Sequence, residues 1–107
     1  MERGVGMVTI RQIQDQAREL KKANGWQGIS PEQRLLYLNS EVGELSREVL
    51  RLTDVNESDA AKAEARANVG YEIYDCVWNL CDLANLFDLD LEAAFEQKAA
   101  INRNRRW

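Results

Sequence analysis

The sequence predicts an all-α fold, a helical bundle of about four helices, and three observations carry that expectation. Six glycines and a single proline in 107 residues, with long Ala/Leu/Glu/Arg stretches, describe good helix formers with few breakers. Apolar residues recur in steps of three and four, and no strand-like alternation is visible. Start and stop signals then divide the chain into helix-sized segments. The length suits one domain over residues 1–107, with residues 1–8 read as a loose leader. So small a domain has a limited core, and a homodimer or homotetramer is expected to complete it.

Thr9 is the expected cap of a first helix, in which Ile10, Ile13, Ala17 and Leu20 share one face, and Asn24-Gly25 ends it. Ser30, Pro31 and Gln33 form a capping box with proline at the first helical position. The second helix then runs to about Thr53. Leu35, Leu38, Val42, Leu45, Val49 and Leu52 give it an apolar seam suited to helix packing. Residues 53–59 connect, with Ser58 or Asp59 as the next cap. A third helical stretch reaches about Phe87, with a break or kink expected near Gly70. Its apolar face comprises Val69, Ile73, Cys76, Val77, Leu80, Leu83, Ala84 and Phe87. Asp90 caps a last helix through about Asn104.

Several function classes are disfavoured at once. A net charge of −4 argues against a general nucleic-acid binder, although the C-terminal "NRNRRW" is locally basic. There is no histidine, which removes the commonest general base and the Ser-His and Cys-His nucleophile systems. Cys76 and Cys81 have neither zinc-site spacing nor good geometry for an intrahelical disulfide, so reduced core thiols are expected. With no signal peptide and no apolar run of about 18 residues, the cytoplasm is the expected compartment.

The chemistry concentrates in two acidic pairs. Glu41 and Glu44 stand one turn apart on the second helix, and Glu72 and Asp75 one turn apart on the third. At 100° per residue both pairs flank their apolar seams, so packing of the seams would let them line one groove. Salt bridges from Arg47, Arg51 or Lys62 would make such flanks ordinary solvated surface. Carboxylates spaced like this repel by roughly 3 kcal/mol at an effective dielectric of 20, however, so a groove holding four of them calls for cations. Oxygen-only donors suit Mg²⁺, with Mn²⁺ as a substitute.

At these residues the sequence resembles the MazG-like, all-α nucleoside triphosphate pyrophosphohydrolases, whose signature is ExxE, a variable spacer, then ExxD. Here Glu41-x-x-Glu44 and Glu72-x-x-Asp75 are separated by residues 45–71. "LNSEVGEL" and "YEIYDCVWNLCDLANLFDLDLEAAFEQKAAINRNR" look like the two best-marked blocks, and the likeness covers roughly residues 10–106. The family's C-terminal Lys, Asn and basic residue are similar to Lys98, Asn102 and Arg105. Ser40 departs from the further glutamate of many members, and Ile101 from a common lysine.

The resemblance implies Mg²⁺-dependent hydrolysis of a (d)NTP to the monophosphate and pyrophosphate, as nucleotide-pool house-cleaning. It also implies metal binding by Glu41, Glu44, Glu72 and Asp75, and a water oriented or deprotonated by Glu41 or Glu44. Lys98, Asn102 and Arg105 would bind substrate, the two cations gripping phosphate oxygens unless they serve only the helix C-terminus. Trp26 offers either a base-stacking face or a core plug, and Asn79 an amide for a base edge or sugar hydroxyl. Tyr71, Tyr74 and Trp78 lie away from the third helix's seam and suggest a second packing surface. The rival readings are a phosphoribosyl-ATP pyrophosphohydrolase and a non-catalytic helical interaction module.

Overall fold

Side-chain caps fix where each helix begins. In a computed structural model describing residues 8–26 and 28–106, Thr9 and Gln12 form a reciprocal capping box ahead of α1 (Ile10–Asn24). Gly25, at φ 68°, closes α1 in the left-handed conformation that glycine adopts without steric cost. Ser30 and Gln33 make a second box ahead of α2 (Pro31–Thr53), with Pro31 at its start. Ser58 accepts from the Ala61 amide at the head of α3 (Asp59–Leu86), and Asp90 accepts from Glu92 and Ala93 at the head of α4 (Leu91–Arg103). These helices account for 81% of the described residues, among which there is no strand. No described helix is long and apolar enough to cross a membrane. Of the expected leader, residues 1–7 lie outside the described residues, and Val8 is exposed and non-helical.

The chain divides into two compact units. One comprises Met1–Ile29 with Cys81–Trp107, the other Ser30–Leu80. The first unit carries α1, the last turns of α3, and α4. Its apolar core is Ile13, Ala17, Cys81 and Ala84, and polar cross-links reinforce it. Gln14 Nε2 donates to Asn85 Oδ1 at 2.9 Å and to the Leu89 carbonyl at 2.8 Å. Its Oε1 accepts from the Leu91 amide, and Asn85 Nδ2 returns a bond to the Gln14 carbonyl. One side chain thereby ties α1 to the end of α3 and the start of α4. Lys21 Nζ stands 3.0 Å from Asp82 Oδ1, and Asp82 is completely buried. Unlike Glu72 and Asp75 on the same helix, Asp82 is thus held by an ion pair among the described residues.

The second unit is an antiparallel hairpin of α2 and α3 as far as Leu80. Arg34 meets Asn79, and further along Glu48 meets Asn68 and Arg51 meets Glu64. Two expectations are corrected here. Helix α3 runs unbroken through Gly70, because a single glycine costs about 1 kcal/mol, too little to interrupt so long a helix. The apolar seam of α2 is only partly inward: Leu38, Leu45 and Leu52 are half-buried, whereas Leu35, Val42 and Val49 are exposed, as are Ile73 and Leu80 on α3. Beside those leucines a heptad-spaced polar stripe also turns inward, Arg34, Glu41 and Glu48 facing Ala65, Glu72 and Asn79, with Arg34 5% and Ala65 0% exposed.

Between α3 and α4 the turn is closed by Leu89 N–H to the Ala84 carbonyl and Asp88 N–H to the Asn85 carbonyl. Asp88 sits there at φ 55°, the one non-glycine residue in the left-handed region among those described. Replacing Asp88 by glycine relieves that conformation, and Asp88→Gly is expected to stabilise the chain by about 0.5–1 kcal/mol. The check is urea unfolding, with a raised midpoint at unchanged slope.

Candidate metal centre

Glu41 and Glu44 project from successive turns of α2, and Glu72 and Asp75 from successive turns of α3. One carboxylate oxygen from each of Glu41, Glu72 and Asp75 lies within 4.8 Å of the other two. Each of the three is half-buried; Glu44 is exposed, yet close enough to act electrostatically on Glu41. Glu41 Oε2 and Glu72 Oε1 are buried and have no hydrogen-bond partner among the described residues. Within this unit Arg51 pairs with Glu48 and Glu64 at 2.9 and 2.8 Å, away from the cluster.

Such crowding shows in the acid–base behaviour. The Glu41 carboxyl is pushed up to about 7, first by burial, then by hydrogen bonding to Glu72 and Glu44 and by the charges of Glu44 and Asp75. A proton on Glu41 supplies the donor that the two buried oxygens otherwise lack. Burial, followed by the charges of Glu41, Glu72 and Asp75, also raises the Cys76 thiol, which keeps it protonated and uncharged at neutral pH. The centre therefore offers oxygen donors alone, the donor set suited to Mg²⁺ or Mn²⁺. A divalent cation would satisfy the buried oxygens of Glu41 and Glu72 without a proton.

Asn79, expected to face a ligand, is buried with both ends of its amide engaged. Its Oδ1 accepts from Arg34 Nη1 at 2.7 Å and its Nδ2 donates to the Asp75 carbonyl at 2.8 Å. Trp26, Lys98, Asn102 and Arg105 all belong to the other unit. There Trp26 is half-exposed, Lys98 and Arg105 are exposed, and Asn102 keeps a buried Oδ1 with no hydrogen-bond partner among the described residues. Arg34 was not anticipated. Its guanidinium lies 5.1 Å from the Trp78 ring centroid and 5.5 Å from that of Tyr37. The available signal was its place seven residues before Glu41, on the same stripe of α2. No protein-family model and no curated protein matches the chain.

Two outcomes follow from the Glu41 proton. Its folded value of about 7 lies above the ordinary 4.5, so the stability it contributes is full below pH 4.5 and lost as pH rises through 7. Metal-free protein is expected to lose thermal stability between pH 5.5 and 8, and Glu41→Gln to flatten that slope, as followed by circular dichroism. Mg²⁺ binding is expected to weaken as pH falls through 7 and to release about one proton per ion at pH 6. Calorimetry in two buffers of different ionisation enthalpy measures the release.

Proposed function

We propose that the chain is a Mg²⁺-dependent nucleoside triphosphate pyrophosphohydrolase, hydrolysing (d)NTPs to (d)NMPs and pyrophosphate as nucleotide-pool house-cleaning. The observation that carries this reading is the three-carboxylate cluster of Glu41, Glu72 and Asp75, with buried oxygens on Glu41 and Glu72 that no donor of the hairpin serves. A solvated acidic flank would leave those oxygens in water and recruit the neighbouring arginines. The likeness of the two acidic pairs to the MazG-like signature adds the reaction class. The roles it gives Trp26, Lys98, Asn102 and Arg105 rest on that likeness alone.

Glu41, Glu72 and Asp75 would hold the cation, with Glu44 the nearest further carboxylate. When bound, the ion neutralises triphosphate oxygens and lowers the pKa of a coordinated water. The protein's own part is to fix the ligands. Asn79 braces the Asp75 turn through its carbonyl, and Arg34 braces Asn79. Glu44, exposed beside Glu41, is placed to meet solvent, and Glu41 or Glu44 orients the attacking water and takes its proton. No histidine is needed.

The outward-facing seam belongs to the same reading. Leu35, Val42 and Val49 on α2, with Ile73 and Leu80 on α3, form an apolar surface that a second copy of the chain would cover, giving a homodimer or homotetramer. Sedimentation velocity is expected to find an oligomer at micromolar concentration, which Val42→Asp dissociates.

The decisive assay incubates the full chain with Mg²⁺ and a panel of NTPs and dNTPs, resolving products by anion exchange. Monophosphate with pyrophosphate is expected, and Glu72→Gln or Asp75→Asn should cut turnover by about 100-fold or more by removing a metal ligand. Diphosphate with phosphate would overturn the cleavage site. Turnover of phosphoribosyl-ATP alone would transfer the assignment to that activity. Mg²⁺ affinity unchanged in both variants would leave the helical interaction module.

A further inference from the structure

The carboxylate cluster occupies only the middle of the hairpin groove. Within the next two turns of each helix, about 5–10 Å along the axis, the same hairpin presents chemistry of a different kind. On α2 this is Arg34 followed by Tyr37; on α3 it is Trp78 and Asn79. Arg34 is 5% exposed, with Nη1 on Asn79 Oδ1 and its guanidinium against both rings. Asn79 is engaged at both ends, so its amide is committed to holding the two helices. The rings are not committed in that way. Tyr37 is 54% exposed and Trp78 half-buried, so each has surface to offer while the cation restrains it.

Large rings fixed by a buried cation and left partly open are costly to expose to water unless something covers them. Tyr37 precedes Glu41 by four residues, and Trp78 lies three beyond Asp75 and six beyond Glu72, about 5–9 Å along the helix axes, an offset that fits a molecule flat and aromatic at one end and polyanionic at the other. A nucleoside triphosphate has that shape and that distribution of charge. We propose that the Arg34 end of the α2–α3 groove is the nucleoside subsite, where Tyr37 and Trp78 stack on the base while the phosphates reach the carboxylate cluster. The proposal rests on the pyrophosphohydrolase reading above and adds to it a place and a mode of base recognition. Recognition here is by stacking, since the nearby amide and guanidinium are engaged with each other. Every base has a π-face, so the subsite selects nucleotides over inorganic polyphosphates and discriminates weakly among bases. Arg34 acts as a positioning residue, holding the rings and, through Asn79, the Asp75 turn.

The test uses the full chain with Trp26→Phe and Trp107→Phe, which leaves Trp78 as the only tryptophan of three. With Mg²⁺ present, Trp78 fluorescence is followed during titration with the α,β-methylene analogues of ATP, GTP, CTP and UTP, and with inorganic tripolyphosphate. All four nucleotide analogues are expected to quench Trp78 at saturation, and tripolyphosphate to bind without quenching it. Calorimetry on Tyr37→Leu should then find nucleotide affinity weakened about 5- to 150-fold, the worth of one base-on-ring stack, with tripolyphosphate affinity unchanged and Tyr37→Phe near wild type. Nucleotide binding that neither quenches Trp78 nor weakens in Tyr37→Leu overturns the subsite and leaves the metal-centre reading standing. Absence of Mg²⁺-dependent binding by both nucleotides and tripolyphosphate overturns the two together.

Discussion

The structure of the hairpin turns on one unfavourable juxtaposition, three half-buried carboxylates brought within 4.8 Å of one another between two helices. Around it the inward stripe is balanced group by group. Arg34 is bonded to Asn79 at one end, and Arg51 draws in Glu48 and Glu64 at the other. The stretch between them carries Glu41, Glu72 and Asp75, with buried oxygens on Glu41 and Glu72 that have no hydrogen-bond partner among the described residues. A lysine at position 44 or 75 would have removed the repulsion, and each position instead carries another acid. The consequence is a carboxyl group titrating near neutrality, because the cluster must take up either a proton or a cation. Those two ligands compete for the same oxygens, which links the resting state of the protein to the ion it is proposed to bind.

Much of this was legible from local sequence. Thr9, Ser30, Ser58 and Asp90 cap helices through contacts spanning two or three residues, and Gly25 terminates α1 through its own backbone conformation. Such interactions depend on nothing distant, so a pattern along the chain suffices to find them. The acidic pairs were legible for the same reason, since residues three apart on a helix are neighbours wherever that helix packs. Pairings between helices were not. Nothing local announces that Gln14 joins Asn85 and Leu91, or that Lys21 neutralises Asp82. Asp82 resembles the other acids of α3 in sequence, and only the partner from α1 separates its part from theirs.

The apolar seam of α2 was visible, yet its direction was not. Periodicity reveals a stripe of leucines and valines but carries no information about which surface the stripe meets. Leu35, Val42 and Val49 stand one residue beyond Arg34, Glu41 and Glu48, about 100° round the helix, and are exposed, whereas Leu38, Leu45 and Leu52 stand four beyond, about 40° away, and stay half-buried beside the polar stripe. Reading the seam as the hairpin's own core therefore put Arg34 outside, and its contact with Asn79 and the two rings went unseen.

That arrangement ties the chemistry to association. A helix of two faces can bury only one of them against a single neighbour. If the inward face must hold a charged centre, part of the apolar face has to look outward, as Leu35, Val42 and Val49 do, and the interior retains little hydrophobic volume of its own. The buried apolar side chains of the whole described chain are Ile13, Ala17, Ala65, Cys81 and Ala84, three of them alanines. So slight a core offsets little of the conformational entropy lost in ordering about a hundred residues. Much further apolar surface sits on the outside of α2 and α3, where burial at about 25 cal/mol per Å² is gained only through contact with another surface. On the proposed reading, placing carboxylates inside the hairpin and requiring a second copy outside it are one constraint. A variant that made the inward stripe apolar would abolish the site and, by drawing the helices together on a new seam, remove the reason to associate.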